Sequence, residues 1–369
     1  MAGPLHGIRI IELAGLGPAP FCGMLLADHG ADVIRIERAG LLSIPNDPTL
    51  RGRRSLALDL RREDARDAMR KLVVKSDALI DPYRPGKLET LGLGPGDLHA
   101  IKPELVIGRL TGWGQHGPLS ERAGHDIDYL ALSGMLSLVG PADGRPTPPA
   151  NLVADYAGGA LMLAFAMTAA LREVAAGAGE GRVIDCAMSE ASAYLGTFLY
   201  GMRNAGLWRD EREANLLDGG AGLYGTYACA DGRYLAIGAI EPAFRNALVE
   251  GLGLSGDPLF SDSLDPSQWP AQREAVAVRI AQKNRDEWLA IFEGADACVA
   301  PVLSMAEAPA DPHNRARDVF LDTPHGPLPT PAPRYGKDPE PLAEAREAED
   351  LLAELGYSPD QIATLLDNP

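Results

Sequence analysis

Cysteine is scarce in this sequence, with four in 369 residues, and Cys22, Cys186, Cys229 and Cys298 form neither a CxxC pair nor a nearby Cys/His set at zinc spacing. Neither a disulfide framework nor a bound metal is expected, and buried reduced thiols are. Positive charge is also in deficit: 34 Lys and Arg face 51 Asp and Glu, a formal charge of -17. An extended phosphate backbone would be repelled, which excludes nucleic acid as the main partner. One small phosphorylated ligand remains possible, because salt screens charges beyond about 8 Å and a few arginines in a cleft outweigh distant carboxylates. Long apolar runs are missing too. The longest, Tyr156 to Leu171, is short of a bilayer span and rich in Ala and Gly, as a close-packed core helix would be. The opening MAGPLHGIRIIELAGLG carries no basic region ahead of a long apolar stretch. The expectation is therefore a cytoplasmic protein with neither signal peptide nor membrane partner. No GxSxG elbow and no GxxxxGK[ST] loop occurs, which disfavours serine hydrolases and P-loop nucleotidases.

What is present is an ordinary globular composition, 46% apolar and 23% charged, in a chain long enough for one large domain with an insertion or for two domains. Short β-rich runs alternate with helical stretches in the first half, the pattern of an α/β domain with a mainly parallel sheet. Strands are predicted at 8–13, 32–37, 55–58, 78–81, 105–110 and 183–186, with helices at 20–28, 63–74 and 155–174 between them. A long helix is expected over 189–207, followed by a charged and Gly-rich crossing to about 224. A smaller α+β domain over 225–310 opens with a hairpin around Asp231-Gly232. Its helices are predicted at 242–251, 268–283 and 285–293, with a strand at 298–303. Residues 311–333 begin a Pro-rich stretch expected to return as an extended linker. Two closing helices, at 342–355 and 358–366, lie in a segment 334–369 that completes the large domain of residues 1–188.

Three constellations carry possible chemistry. Gly15-Leu16-Gly17 ends a strand and Glu37 closes the next, as in a dinucleotide fold. The run continues Pro18-Ala19-Pro20, however, and prolines remove the N–H donors a pyrophosphate needs, so a turn is the better account. Arginines 38, 51, 53, 54, 61 and 62 and the segment Tyr83-Arg84-Pro85-Gly86-Lys87 cluster near strand ends, where α/β folds bind ligands; they are phosphate contacts or solvated surface charges. Finally, Gly124-His125-Asp126-Ile127-Asp128-Tyr129 and Asp155 each precede an apolar helical run. Asp126 and Asp155 read as N-caps with His125 merely adjacent, or as catalytic groups at helix starts, where developing negative charge is favoured.

At these residues the sequence resembles the family III coenzyme A transferases, and within them the branch of racemases acting on 2-methylacyl-CoA. The likeness runs through IRIIELAGLGPAPFCGMLLADHGADVIRIER, RRSLALDL, YRPGKLETLGLGP, GHDIDYLALSG, NLVADYAGGA, VIDCAMSEA, IGAIEPAF, DACVAPVL and LAELGYSPDQI, nearly the whole chain. The histidine of GHDIDYLALSG is the feature that marks the racemase branch. The resemblance implies a Rossmann-like large domain, a smaller domain and a homodimer of two interlocked chains. It implies His125 and Asp155 as the catalytic pair, the histidine serving the S epimer and the aspartate the R, with Glu241 of the partner subunit orienting the histidine. Coenzyme A, as part of the substrate and with no separate cofactor, would meet Arg38, Leu58, Asp59, Leu60, Arg61, Pro82, Tyr83, Arg84, Gly124 and Tyr129. Thr90 stands where the racemases tend to carry arginine, with Lys87 as a possible substitute.

The chemistry agrees with these residue types. An α-proton beside a thioester is weakly acidic, so removing it needs a base and stabilisation of the enolate. Inversion needs a proton from the opposite face, hence two groups. The backbone N–H of Asp126 is the candidate for holding the enolate oxygen. Coenzyme A transfer with Asp155 as nucleophile, a catalytically silent acyl-CoA binder and, more distantly, a dehydrogenase stand as alternatives.

Overall fold

In the computed structural model, residues 3–37, 44–177, 179–261, 265–336, 346–347 and 349–366 are described. The chain divides into two units, Met1–Ser133 with Pro149–Gly196 and Ala316–Pro369, and Gly134–Pro148 with Thr197–Arg315.

The first unit is organised by six strands, β1 (Arg9–Leu13), β2 (Asp32–Glu37), β3 (Arg53–Ala57), β4 (Ala78–Asp81), β5 (Val106–Thr111) and β6 (Val183–Ala187). They run parallel in the order β3-β2-β1-β4-β5-β6, and the pair Arg346–Glu347 adds to the outer edge of β3. Strands covered on both faces need continuous apolar runs, and β4 and β5 are buried at every position. Helix Glu63–Val74 supplies one cover: acidic residues sit in its first turn, Lys71 in its last, and Ala65, Ala68, Met69, Leu72 and Val73 face the core. On the other side, Gly108 of β5 has no Cβ to strike Leu163 and Met167 of helix Met162–Ala175, so that helix lies close against the sheet.

The second unit holds an antiparallel sheet of β7 (Tyr224–Ala228), β8 (Tyr234–Gly238) and β9 (Val299–Pro301), in that order. Gly232 takes φ +76° in the turn that joins the first two. Helices Pro242–Gly251, Trp269–Ile280 and Arg285–Ile291 contribute Leu248, Val276, Ile280 and Trp288 to its core.

Several expectations need correction. Residues 134–148 cluster with the second unit, because the Arg212 guanidinium donates to the carbonyls of Ser137 (3.3 Å), Pro141 (3.0 Å) and Gly144 (2.6 Å). The long helix expected over 189–207 is two, Met188–Leu195 and Thr197–Asn204, separated at Gly196. The Pro-rich return is not simply extended: Phe320–Thr323 pairs antiparallel with Gly326–Pro329, a two-stranded ribbon whose edges tolerate proline. Cys298 is exposed, while Cys22, Cys186 and Cys229 are buried; all four are free thiols.

Candidate active site

Strand order reverses at β1, with β2 and β3 on one side and β4 to β6 on the other. Loops leaving the carboxyl ends of β1 and β4 therefore diverge and leave a crevice between them, where open α/β sheets bind ligands. The β1 loop turns sharply through Gly17, whose φ of +65° suits glycine. A Cβ on Gly17 would stand 2.9 Å from Oδ2 of Asp155, so this turn and that carboxylate face each other directly. A Cβ on Gly15 would likewise meet the ring of Pro82, the residue that leaves β4.

Asp155 is not an N-cap. Asn151 holds that position, and Asp155 lies in the first turn of a π-helical stretch, Leu152–Leu161, that continues into helix Met162–Ala175. Such wide turns are rare and recur at functional sites. The Asn151 amide donates to Asp155 Oδ2 at 3.4 Å, and Tyr156 stacks on Phe21 with ring centroids 4.3 Å apart. Burial pushes the Asp155 carboxyl up to about 6; the nearby Asp126 charge adds to this, while Asn151 and His125 oppose it. Such a group exchanges its proton in the neutral range.

His125 occupies the N-cap position of helix Asp126–Leu132, with an exposed side chain, and its backbone N–H donates to Asp128 Oδ2 at 2.9 Å. Asp126 does not cap its own helix. Its buried carboxylate crosses to the π-helix, where Oδ2 accepts the N–H groups of Ala154 and Asp155, each at 2.8 Å. A residue adjacent to His125 is thus bonded to the backbone of Asp155. The Asp126 N–H, at the first helical position, belongs to those with no intrahelical acceptor. The Tyr129 hydroxyl donates to the carbonyl of Gly124, and its ring fills the space that side chains at Gly112 or Gly124 would need. Burial, with the charges of Asp155 and Asp128, raises that phenol to about 12, while Arg84 opposes the rise. Trp113 meets the same ring edge-on at 4.8 Å.

The expected coenzyme A contacts divide. Pro82, Tyr83 and Arg84 follow β4 at the crevice; Asp81 holds the turn by accepting the Tyr83 N–H at 2.9 Å, and Arg84 is exposed. Leu58 and Leu60 follow β3 with side chains in the core, which leaves only their backbone for a ligand. Asp59 and Arg61 pair with each other at 2.8 Å. Arg38 lies outside the described residues. The remaining arginines are partly reassigned to structure: Arg53 is fully buried on Glu12 (2.9 Å), Arg54 pairs with Asp32 (2.8 Å) and Arg51 with Asp28 (2.6 Å). The Thr90 hydroxyl donates to the Lys87 carbonyl at 2.7 Å and so caps its own turn. Glu241 is exposed in the second unit, at the N-cap position of helix Pro242–Gly251.

Sequence reasoning did not find the side-chain role of Asp126, the approach of Gly17 to Asp155, or Asn151. The doublet Asn151 and Asp155, one helical turn apart, was the legible hint to the last.

The sequence pattern of CoA-transferase family III matches residues 5–348. The chain belongs to that family. Its sequence is 44% identical to the alpha-methylacyl-CoA racemase of Mus musculus and 43% identical to that of Homo sapiens, in each case over 98% of this chain and 96% of the relative. A more distant member, the succinyl-CoA:glutarate CoA-transferase of Homo sapiens, is 26% identical over 98% of this chain and 89% of its own. Among solved structures, a CaiB/BaiF family protein from Brucella suis superposes with a TM-score of 0.80 at 27% identity, covering 96% of this chain and all of the other. The family thus contains both racemases and transferases, and the higher identity, over nearly the whole chain, is to the racemases.

Proposed function

We propose that this chain is an acyl-CoA racemase that interconverts the 2R and 2S epimers of 2-methylacyl-CoA thioesters by two-base proton transfer. The observation that carries the reading is the joining of His125 to Asp155: the neighbour of the first is hydrogen-bonded to the amide of the second at 2.8 Å, at the crevice of a coenzyme A family fold. In one direction neutral His125 removes the α-proton and protonated Asp155 returns one to the opposite face. In the other, the carboxylate removes it and the imidazolium delivers. Both forms of the pair hold one proton in total, and a carboxyl raised to about 6 is able to take up or give back that proton near neutral pH. In this reading the Asp126 N–H donates a hydrogen bond to the enolate oxygen and so stabilises its charge. Binding energy for the nucleotide end of the substrate, at Arg84, Tyr83 and the backbone of 58–61, can then be used to place the reacting carbon.

The same reading assigns Glu241 to the orientation of His125 in a second copy of the chain, and coenzyme A enters only as part of the substrate. A homodimer is supported by an apolar surface on the mutually packed helices Asp126–Leu132, Leu152–Ala175 and Met188–Leu195 of the first unit. There Phe165 is 74% exposed, Tyr194 71% and Leu132 64%. Helix Leu152–Ala175 is long and apolar enough to cross a bilayer, but this reading covers its open side with the partner subunit.

The test is proton NMR of 2-methylacyl-CoA epimers in heavy water. The protein is expected to load deuterium at the α-carbon of both epimers, and His125→Ala to abolish loading of the S epimer and inversion in either direction, leaving at most exchange without inversion in the R epimer; loading of the S epimer in that variant would defeat the role given to His125. Coenzyme A transfer through Asp155 is the second reading, favoured by the transferases within the family. Inactivation by hydroxylamine only with acyl-CoA present, without α-exchange, would select it.

A further inference from the structure

We propose that the Asp126 side chain is the positioning residue of the catalytic pair, holding Asp155 against the segment that carries His125 and turning its own carboxylate charge on the Asp155 carboxyl. This rests on the two-base reading above and goes beyond it, since that reading gave a catalytic role only to the backbone N–H of Asp126.

A π-helix, with i→i+5 bonds, leaves even more initial N–H groups without partners than the four of an α-helix. Here the residue at the N-cap, Asn151, directs its side chain to Asp155 Oδ2 instead of to those amides. The cap is supplied from 28 and 29 residues away by Asp126 Oδ2, which takes the amides of Ala154 and Asp155 at 2.8 Å each. Asp126 is only 6% exposed, and its Oδ1 is buried without a hydrogen-bond partner among the described residues. One carboxylate oxygen therefore fixes the backbone of Asp155 while the group's negative charge faces the Asp155 carboxyl from close by. The other groups acting on that carboxyl are His125, beside Asp126, and the neutral Asn151 amide; Gly17, across the crevice, is uncharged. The Tyr129 phenol, which feels the Asp155 charge, stays neutral. Removing the Asp126 charge while keeping its acceptor oxygen separates the two effects.

Two variants read them out. Asp126→Asn keeps an oxygen that can take both amides but carries no charge, so the Asp155 carboxyl, followed by carbon NMR, is expected to titrate about half a unit to one unit lower than in the unmodified protein. The acid limb of the epimerisation profile should move down with it, equally from either epimer, because both directions use the singly protonated pair. Asp126→Ala also removes the cap; kcat is expected to fall about a hundredfold, with KM for the acyl-CoA changed by less than about threefold, as loss of placement would give. Coincident Asp155 titrations in Asp126→Asn and the unmodified protein would overturn the proposal. So would an Asp126→Ala enzyme that keeps its kcat. If Asp126→Ala does not fold by circular dichroism, the Asn titration decides alone. Absence of epimerisation in the unmodified protein would defeat the functional reading but leave the titration comparison standing.

Discussion

At the scale of single residues, the site combines groups whose best protonation state for catalysis is not their best for stability. Asp155 has a folded-state value near 6, above its ordinary 3.8, because burial disfavours the carboxylate. The folded chain holds that proton more tightly than the unfolded chain, so stability falls as pH rises through this window. Asp155→Asn is therefore expected to be inactive in epimerisation and to melt higher than the unmodified protein at pH 8, with the advantage gone below about pH 4. Scanning calorimetry across that range checks it, and equal melting temperatures at pH 8 would contradict it. Gly17→Ala meets two obstacles, a φ of +65° and an atom 2.9 Å from the Asp155 carboxylate. It should lower kcat by about a hundredfold, since displacement of a catalytic group by an ångström costs that much. His125 and Asp155 were legible because their segments resemble a known family. The side-chain role of Asp126 was not, since a hydrogen bond spanning 28 residues leaves no periodic trace in the sequence. Arginine spacing misled for a related reason: Arg53 stands just ahead of the strand expected at 55–58 but lies within β3, where Glu12 neutralises it.

At the scale of elements, the strands were the most readable parts, and those at Asp32–Glu37 and Ala78–Asp81 coincide with expectation. Buried parallel strands are continuous apolar runs with few alternatives. Helix starts were less readable. The expected helix at 155–174 begins three residues earlier, at Leu152, and opens as a π-turn, because its first amides are satisfied by a side chain brought in by the fold. The ribbon Phe320–Thr323 with Gly326–Pro329 was hidden by proline content, which marks an edge strand as well as it marks a linker. Three strands are tied together by one buried charge. Glu12 of β1 is inaccessible and bonded to Arg35 of β2 and Arg53 of β3. Glu12→Gln leaves the buried Arg53 without a counter-charge and Arg35 with Glu37 alone, and should cost about 3 to 5 kcal/mol. The midpoint of denaturant unfolding measures this, and a change below about 1 kcal/mol would refute the assignment.

At the scale of the whole molecule, a parallel sheet in the order β3-β2-β1-β4-β5-β6 presents the β1 and β4 loops to one crevice, and the proposed reading builds its chemistry there from His125 and Asp155, with Gly17 and Pro82 beside them. The alternation of strands and helices made this architecture legible, whereas the assignment of 134–148 to the second unit depends on Arg212 reaching back across the sequence. An apolar surface including Phe165 and Tyr194 is held to be a subunit interface. Phe165→Glu should therefore shift the sedimentation coefficient from that of a dimer toward that of a monomer, with loss of epimerisation; a monomeric unmodified protein with full activity would contradict this. The central claim is that two groups on opposite faces share the proton transfer. It is tested most directly by turning over α-deuterated substrate in ordinary water and examining the inverted product of the first turnover by mass spectrometry. Two bases predict that this product carries a solvent proton at the α-carbon, because the group that accepts the deuteron is not the group that delivers. Deuterium retained in the inverted product, carried from one face to the other by a single base, would contradict the account.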